Sequence, residues 1–276
     1  MALHGLRPDD PSKLGPYELR GRLGAGGMGV VYLGFGADGE AVAVKTLPGS
    51  ASADSRERMR REARVLASVD FPGVARLVTA DPDAGNPWLA LAYISGPSLL
   101  EATKPLRDAP LRQFAHGLAE ALTALHAVGV THRDVKPANV ILTFDGPVLV
   151  DLGIARTEDM ATMTQAGTVI GSAGWMSPEQ LRGRAEGPPS DVWGWGAVLV
   201  YAATGRPPFG EGALEALAWR IQSLEPDLDG VPDWLLPAVK GALTKDSASR
   251  PAARDLFPDT ASATRPPPAP AAPAAT

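Results

Sequence analysis

His132-Arg133-Asp134-Val135-Lys136-Pro137-Ala138-Asn139 opens the stretch that decides this fold, and Asp151-Leu152-Gly153 closes it. Taken singly, Asp134 suits a turn and His132 a packed core. The spacing says more. Val140–Thr143 and Val148–Asp151 are short apolar runs around Phe144-Asp145-Gly146-Pro147, which reads as a hairpin. Asn139 and Asp151 each stand six residues from Asp145, so a turn at Asp145-Gly146 sets the open ends side by side. Two oxygen ligands held together, without nitrogen or sulfur, suit Mg²⁺ carrying a polyphosphate. Asp134 then lies close enough to accept a hydroxyl proton, and Lys136 to neutralise a moving phosphoryl group.

Toward the N-terminus, Leu23-Gly24-Ala25-Gly26-Gly27-Met28-Gly29-Val30-Val31 contains G-x-G-x-x-G-x-V. Tight glycine turns are common, and a dinucleotide fold uses similar glycines between a strand and a helix. Here Val30–Phe35 continues as a strand, so the loop is a hairpin tip lying over phosphates. In Val42-Ala43-Val44-Lys45, alternation puts Ala43 and Lys45 on one face and the valines on the other. A lysine on the small-residue face of an inner strand needs an anion. Glu62 offers one, beside the apolar stripe Met59, Ala63, Leu66 and Val69 of a helix over Ser55–Val69. Alone, each is a surface charge; after a glycine loop, they read as a pair. Strands over Tyr17–Leu23, Val30–Phe35, Ala41–Leu47, Val74–Ala80 and Trp88–Ile94 complete a five-stranded lobe.

Toward the C-terminus the period changes. Leu111, Ala115, Leu118, Leu122 and Leu125 form a helical stripe, and apolar helical segments follow at Val192–Thr204, Leu214–Ser223 and Leu235–Leu243. From Thr264 onward the chain is Pro/Ala-rich, a tail or linker with nothing to bury. Composition narrows the function. Hydrophobic residues at 45% and charged residues at 21% exclude a wholly disordered chain. A net charge of −5 argues against wrapping nucleic acid or coating an anionic membrane. There are 0 cysteines, so disulfides, thiolate metal sites and a cysteine nucleophile are excluded together. The longest apolar stretch, Val198–Ala203, is too short to span a bilayer, and Met1–Pro11 has no signal-peptide core. A soluble, cytoplasmic chain is expected, or the cytoplasmic part of a longer, membrane-anchored one. Abundant Ala, Gly and Pro, with arginine favoured over lysine, point to a GC-rich bacterium.

With these residues in order, the chain resembles a bacterial eukaryotic-like (Hanks-type) serine/threonine protein kinase of the actinobacterial type, over about residues 14–258. The series comprises the glycine loop, Lys45, Glu62, His132-Arg133-Asp134, Asn139, Asp151-Leu152-Gly153, Ser177-Pro178-Glu179, Asp191-Val192-Trp193-Gly194-Trp195-Gly196 and Arg250. Lys136, two residues after Asp134, resembles the Ser/Thr branch rather than the tyrosine branch. The resemblance implies an α+β, bilobal fold: a small five-stranded antiparallel N-lobe with one main helix, and a larger, mostly helical C-lobe. Boundaries follow as a leader over 1–13, an N-lobe over 14–94, a C-lobe over 95–258 and a tail over 259–276.

The same resemblance implies roles. Asp134 orients the substrate hydroxyl as base, with Lys136, Lys45 and Glu62 completing the catalytic set, Lys45 holding the α/β-phosphates. Asn139 and Asp151 hold Mg²⁺, with Mn²⁺ an alternative. ATP lies against Leu23, Gly24, Ala25, Gly26, Gly27, Met28, Gly29, Val31 and Ala43 above and Ile141 below. Leu91 resembles the gatekeeper, and Ala92 and Ile94 the hinge. Arg133 beside Asp134 implies switching by phosphorylation of a loop that contains Thr157, Thr162, Thr164 and Thr168, with Thr164 the first candidate and Thr162 and Thr168 behind it. Glu179 and Arg250 resemble an anchoring ion pair, and Asp191 a bond to the catalytic-loop backbone. His132 and Leu152 are read as packing with Leu66. Partners follow as protein Ser/Thr substrates, the chain itself by autophosphorylation, and a second copy through the N-lobe, with no nucleic acid. Leu152 for Phe, Ser177 for Ala and Ser172 for Thr depart from the usual motifs without removing a catalytic group. A catalytically silent scaffold shares this fold. A small-molecule kinase shares the aspartates but lacks the Ser-Pro-Glu segment and Arg250.

Overall fold

Alternation within Ala41–Thr46 decides how the first half of the chain folds. The computed structural model describes residues 3–26, 29–47, 52–153, 173–184 and 187–257. Its first sheet has the order β1-β2-β3-β4-β6-β5, antiparallel throughout: β1 (Lys13–Leu14), β2 (Tyr17–Gly26), β3 (Gly29–Phe35), β4 (Ala41–Thr46), β5 (Leu77–Asp81) and β6 (Trp88–Ala92). Val42 and Val44 enter one apolar cluster with Leu14, Tyr17, Leu19, Tyr32, Trp88 and Ala90. On the other face, Ala43 and Lys45 stand opposite Leu91 and Leu89. That face is covered by α1 (Ala53–Ala67), which buries Met59, Glu62 and Leu66 against it. Ser52 caps α1 by accepting a hydrogen bond from the Ser55 backbone N–H.

The lobe has one strand more than the sequence suggested. The two-residue β1 pairs Leu14 with Tyr17, and the polar segment before it is fastened to the sheet rather than lying free of it. Asp10 is the fastening: its carboxylate accepts hydrogen bonds from Arg22 Nε, Tyr32 Oη and the Arg7 backbone N–H, each at 2.7 Å. The guanidinium contact, working against burial, holds the Asp10 carboxyl far below the usual carboxylate range. A charged anchor leaves no apolar pattern in the sequence, which is why this segment reads as irregular.

The second half assembles around α2 (Asp108–Ala127) and α4 (Pro188–Thr204). The α2 stripe Leu111, Ala115, Leu118, Leu122 and Leu125 is fully buried. Helix α4 is buried on every side from Ser190 to Val200, as expected of a helix apolar all round. Trp195 Nε1 donates to the Ala115 carbonyl at 3.1 Å and ties the two together. Shorter helices complete this half: α3 (Pro178–Leu181), α5 (Leu214–Ser223) and α6 (Leu236–Ala242). No described helix is long and apolar enough to cross a membrane.

A hairpin of β7 (Val140–Thr143) and β8 (Gly146–Leu149) packs on α2. Its register corrects the symmetry expected about Asp145. Thr143 pairs with Gly146, leaving a two-residue turn of Phe144 and Asp145, and Val140 pairs with Leu149. The Thr143 hydroxyl sets this turn by accepting from the Asp145 N–H at 3.2 Å and donating to the Gly146 carbonyl at 2.8 Å. Val150, not Asp151, therefore stands beside Asn139, donating its N–H to the Asn139 carbonyl at 3.0 Å. Val74 and Ala75, expected to begin a strand of the first sheet, run beside Leu149 instead, with Ala75 N donating to its carbonyl at 2.9 Å. The two halves are joined there, and Ser98, at the start of the second half, bridges Ile141.

Candidate active site

Lys45 is presented by β4 and Glu62 by α1. Lys45 Nζ donates to Glu62 Oε1 at 2.7 Å, and Asp151 Oδ1 lies 3.5 Å from the same ammonium. Burial drives the Glu62 carboxyl above the ordinary glutamate range, against the pull of Lys45. Burial opposes the lysine charge as well, yet Glu62 and Asp151 outweigh it and hold the Lys45 pKa above its ordinary value. The lysine stays charged. Asp151 keeps about half of its side chain exposed and has a left-handed backbone (φ 55°), as does Arg133 (φ 67°). Such backbones in non-glycine residues collect at functional sites, where the surroundings enforce them.

The surroundings of Arg133 are explicit. Asp191, buried on α4, accepts the backbone N–H groups of His132 and Arg133, each at 2.7 Å, and contacts His126 Nε2 at 2.8 Å. His132 is fully buried, with Nε2 3.2 Å from the Val150 carbonyl, and burial lowers its pKa so that the ring is neutral. Leu152 joins Leu66 in the core. On this clamped loop, Lys136 Nζ donates to Asp134 Oδ2 at 2.7 Å. Asn139 Nδ2 donates to Asp134 Oδ2 and to the Asp134 carbonyl, both at 3.0 Å. With its amide hydrogens spent on Asp134, Asn139 offers an incoming cation its oxygen. Gly153 holds the next loop close: its N–H donates to the His132 carbonyl at 2.7 Å, and a Cβ there would stand 2.9 Å from Asp134 Cβ.

The residues read as an ATP pocket fall on three layers. Leu23, Gly24, Ala25 and Gly26 end β2, while Gly29 and Val31 begin β3, with Gly24 opposite Val31 and Val31 opposite Lys45. Ala43 faces Leu91 across β4 and β6; Ala92 ends β6 and Ile94 follows. Ile141, 1% exposed, lies on β7 in the other half. Gly27, Met28 and the threonines Thr157, Thr162, Thr164 and Thr168 lie outside the described residues, as does Ser172. Gly29 is forced: at φ 127°, a Cβ would meet the Thr46 carbonyl oxygen at 1.9 Å.

Beside Asp134 lies a platform. Arg250 Nη2 donates to Glu179 Oε2 at 2.8 Å, and Ser190 Oγ donates to Glu179 Oε1 at 3.0 Å. Ser177 has a use that its departure from the usual motif concealed. It caps α3, accepting from the Gln180 N–H while Gln180 Oε1 accepts from the Ser177 N–H. Gln180 Nε2 then donates to the Arg133 carbonyl at 2.9 Å, fastening the platform to the loop that bears Asp134. Sequence reasoning missed Gln180 and His126. The capping-box spacing of Ser177 and Gln180 was the available signal for the first; nothing local marks the second.

A sequence model of the protein kinase domain matches residues 17–260. The chain belongs to the protein kinase domain family. Among curated relatives, this kinase domain is 44% identical over 257 residues to a probable serine/threonine-protein kinase, PkwA, of Thermomonospora curvata, covering 91% of this chain and 35% of that one. It is 41% identical over 258 residues to the serine/threonine-protein kinase AfsK of Streptomyces coelicolor (91% and 32%). To the serine/threonine-protein kinase PknA of Mycobacterium tuberculosis it is 34% identical over 286 residues (95% and 66%). The chain thus spans about a third of the length of the first two. Kinase domains use ATP and a divalent metal ion; Asp151, 3.5 Å from the Lys45 ammonium, and Asn139, bonded to Asp134 on the adjoining loop, carry the oxygen donors that such an ion takes.

Proposed function

We propose that this kinase domain transfers the γ-phosphoryl group of ATP to Ser and Thr hydroxyls of proteins, in bacterial signalling. The observation that carries the reading is the closed Lys45–Glu62 pair beside Asp151, with Asp134, Lys136 and Asn139 bonded together on the adjoining loop. Lys45 orients the α- and β-phosphates, and Asn139 and Asp151 are the residues for Mg²⁺, or Mn²⁺ in its place. The bound cation supplies charge neutralisation on the phosphate oxygens. Asp134 accepts the hydrogen bond of the acceptor hydroxyl, taking its proton as the oxygen attacks, and Lys136 meets charge on the transferred group. Positioning and electrostatics do most of the work, since the protein makes no covalent bond. Leu23, Gly24, Ala25, Gly26, Gly27, Met28, Gly29, Val31, Ala43, Leu91, Ala92, Ile94 and Ile141 enclose the nucleotide in this reading.

Regulation belongs to the same proposal. Thr164, then Thr162 and Thr168, receive phosphate from the kinase itself, adding about −2 of charge near Arg133. The domain works in the cytoplasm, where ATP is, and pairs with a second copy through its N-lobe. Incubation with Mg-ATP and a Ser/Thr protein acceptor tests the core claim, with Asp134→Asn as control. Lys45→Ala and Asp151→Asn are expected to lose at least about a thousandfold in rate. Phosphate transfer by wild type no greater than by Asp134→Asn would assign the fold to a silent scaffold instead.

A further inference from the structure

Arg22 and Tyr32 stand opposite each other on β2 and β3, and the next pair along is Gly24 and Val31. Val31 pairs with Lys45 and so lies on the face that carries the active-site lysine. Tyr32 pairs with Val44 and belongs to the apolar cluster on the far face. Between the two pairs the register slips, which makes Leu23 the extra residue of a bulge. A bulge interrupts the ladder and re-aims a side chain. Where Leu23 points therefore depends on how its neighbours are held.

Arg22 is held from two sides. Its backbone N–H donates to the His4 carbonyl at 2.8 Å, and its carbonyl accepts the His4 N–H at 2.9 Å, so the leader lies beside β2. Its guanidinium grips the Asp10 carboxylate through Nε and Nη2, and the Asp10 side chain is 3% exposed. The Tyr32 hydroxyl donates to the same carboxylate. A carboxylate that merely fastened the leader would need one strand. This one bonds two, through the residues next to Leu23 and Val31. Gly21 leaves room for the leader: a Cβ there would stand 2.6 Å from the His4 carbonyl oxygen and 2.7 Å from Leu3 Cδ1.

We propose that Asp10 is a positioning residue for the nucleotide: by tying Arg22 to Tyr32 across the far face, it holds Leu23 and Val31 where they cover ATP. The inference rests on the kinase reading above and adds a leader residue to the support of its nucleotide site. Without the carboxylate, β2 and β3 lose their side-chain tie beside the bulge. Apparent affinity for ATP then falls by the fraction of time that Leu23 and Val31 are in place. The acceptor peptide meets Asp134 in the other half, so its own binding is spared.

Steady-state kinetics on the full chain, with ATP and an acceptor peptide varied in turn, test this beside calorimetric titration with a non-hydrolysable ATP analogue and Mg²⁺. Asp10→Ala is expected to raise the KM for ATP and the Kd of the analogue about tenfold, with the peptide KM within about twofold of wild type. Tyr32→Phe, which removes one hydroxyl, is expected to raise the same two constants about threefold. The double variant should match Asp10→Ala, because both changes act through one carboxylate. A merely structural fastening would lower the melting temperature and the active fraction, and leave both KM values alone. An ATP KM and analogue Kd unchanged in Tyr32→Phe and within about twofold of wild type in folded Asp10→Ala would overturn the positioning role and leave the kinase reading intact. So would an equal rise in the peptide KM. Should Asp10→Ala fail to fold, unchanged constants in Tyr32→Phe suffice to overturn it. Wild type that neither bound the analogue nor transferred phosphate would overturn the kinase reading, and this inference with it.

Discussion

Arg250→Met removes a guanidinium whose side chain is fully buried. In the native protein its nitrogens donate to Glu179 Oε2 at 2.8 Å, to the Thr244 carbonyl at 2.8 Å and to the Pro189 carbonyl at 2.9 Å. The guanidinium also lies 5.1 Å from the Trp193 ring centroid. Methionine fills much of the volume but strands the Glu179 carboxylate, whose side chain is 10% exposed, with the neutral hydroxyls of Ser190 and Ser177 in place of a cation. Breaking a buried pair in this way costs about 3–5 kcal/mol. At about 2–4 °C per kcal/mol for a domain of this size, the melting temperature falls by about 8–16 °C near a middle value of 4 kcal/mol.

Acid discriminates this cause from a simple packing loss. Burial raises the Glu179 pKa, but the hydrogen bonds from Arg250 outweigh it, so the folded-state value is depressed. Stability from the pair is therefore present above the unfolded carboxyl pKa and lost as pH falls through the folded one. Without Arg250 the strongest opponent of burial is gone, so the depression is smaller and the variant loses less stability over the same fall in pH. The gap in melting temperature between wild type and variant should then narrow between pH 7 and pH 4. Thermal melts followed by tryptophan fluorescence measure it, since Trp193 lies under the substituted side chain. A drop of less than about 3 °C, or a gap indifferent to pH, would refute the account. In Glu179→Gln/Arg250→Met the carboxylate is gone as well, and the double variant should melt above the sum of the single losses, by a coupling of about 0.5–3 kcal/mol.

Gly153→Ala places a methyl 2.9 Å from both Asp134 Cβ and the His132 carbonyl oxygen, so Asp134 must shift; peptide phosphorylation is expected to fall at least about tenfold in kcat, and a kcat within twofold of wild type would contradict it. Lys245 lies 4.3 Å from the Phe209 ring centroid and donates to the Ile221 carbonyl; burial, helped by the Arg250 charge, lowers its pKa to about 8 from the ordinary lysine value of 10.5. Between those values the folded state binds fewer protons than the unfolded one, so stability from this group rises with pH across the interval. Lys245→Met should flatten that rise in urea titrations at pH 7.5 to 10.5, and an unchanged slope would show that the ammonium is not desolvated.

What the chain reveals by itself is whatever repeats locally or recurs as a short motif. Val42 and Val44 against Ala43 and Lys45 declared the two faces of β4 because side chains alternate along any strand. The α2 stripe was equally plain, since one helical face must be buried. Lys45, Glu62, Asp134, Asn139 and Asp151 were picked out by type, order and spacing alone. Tertiary structure decided the contacts that no period encodes. Asp10 meets Tyr32 across 22 positions and Gln180 meets Arg133 across 47, through single polar bonds whose partners carry no local mark. The hairpin register turned on the Thr143 hydroxyl rather than on symmetry about Asp145. A groove beside Lys136 exists because Leu100, Trp175 and Tyr201, from three separate stretches of the chain, line one space. A periodic pattern records which face of an element is buried, whereas the shape between elements depends on how their side chains meet, and that is settled on folding.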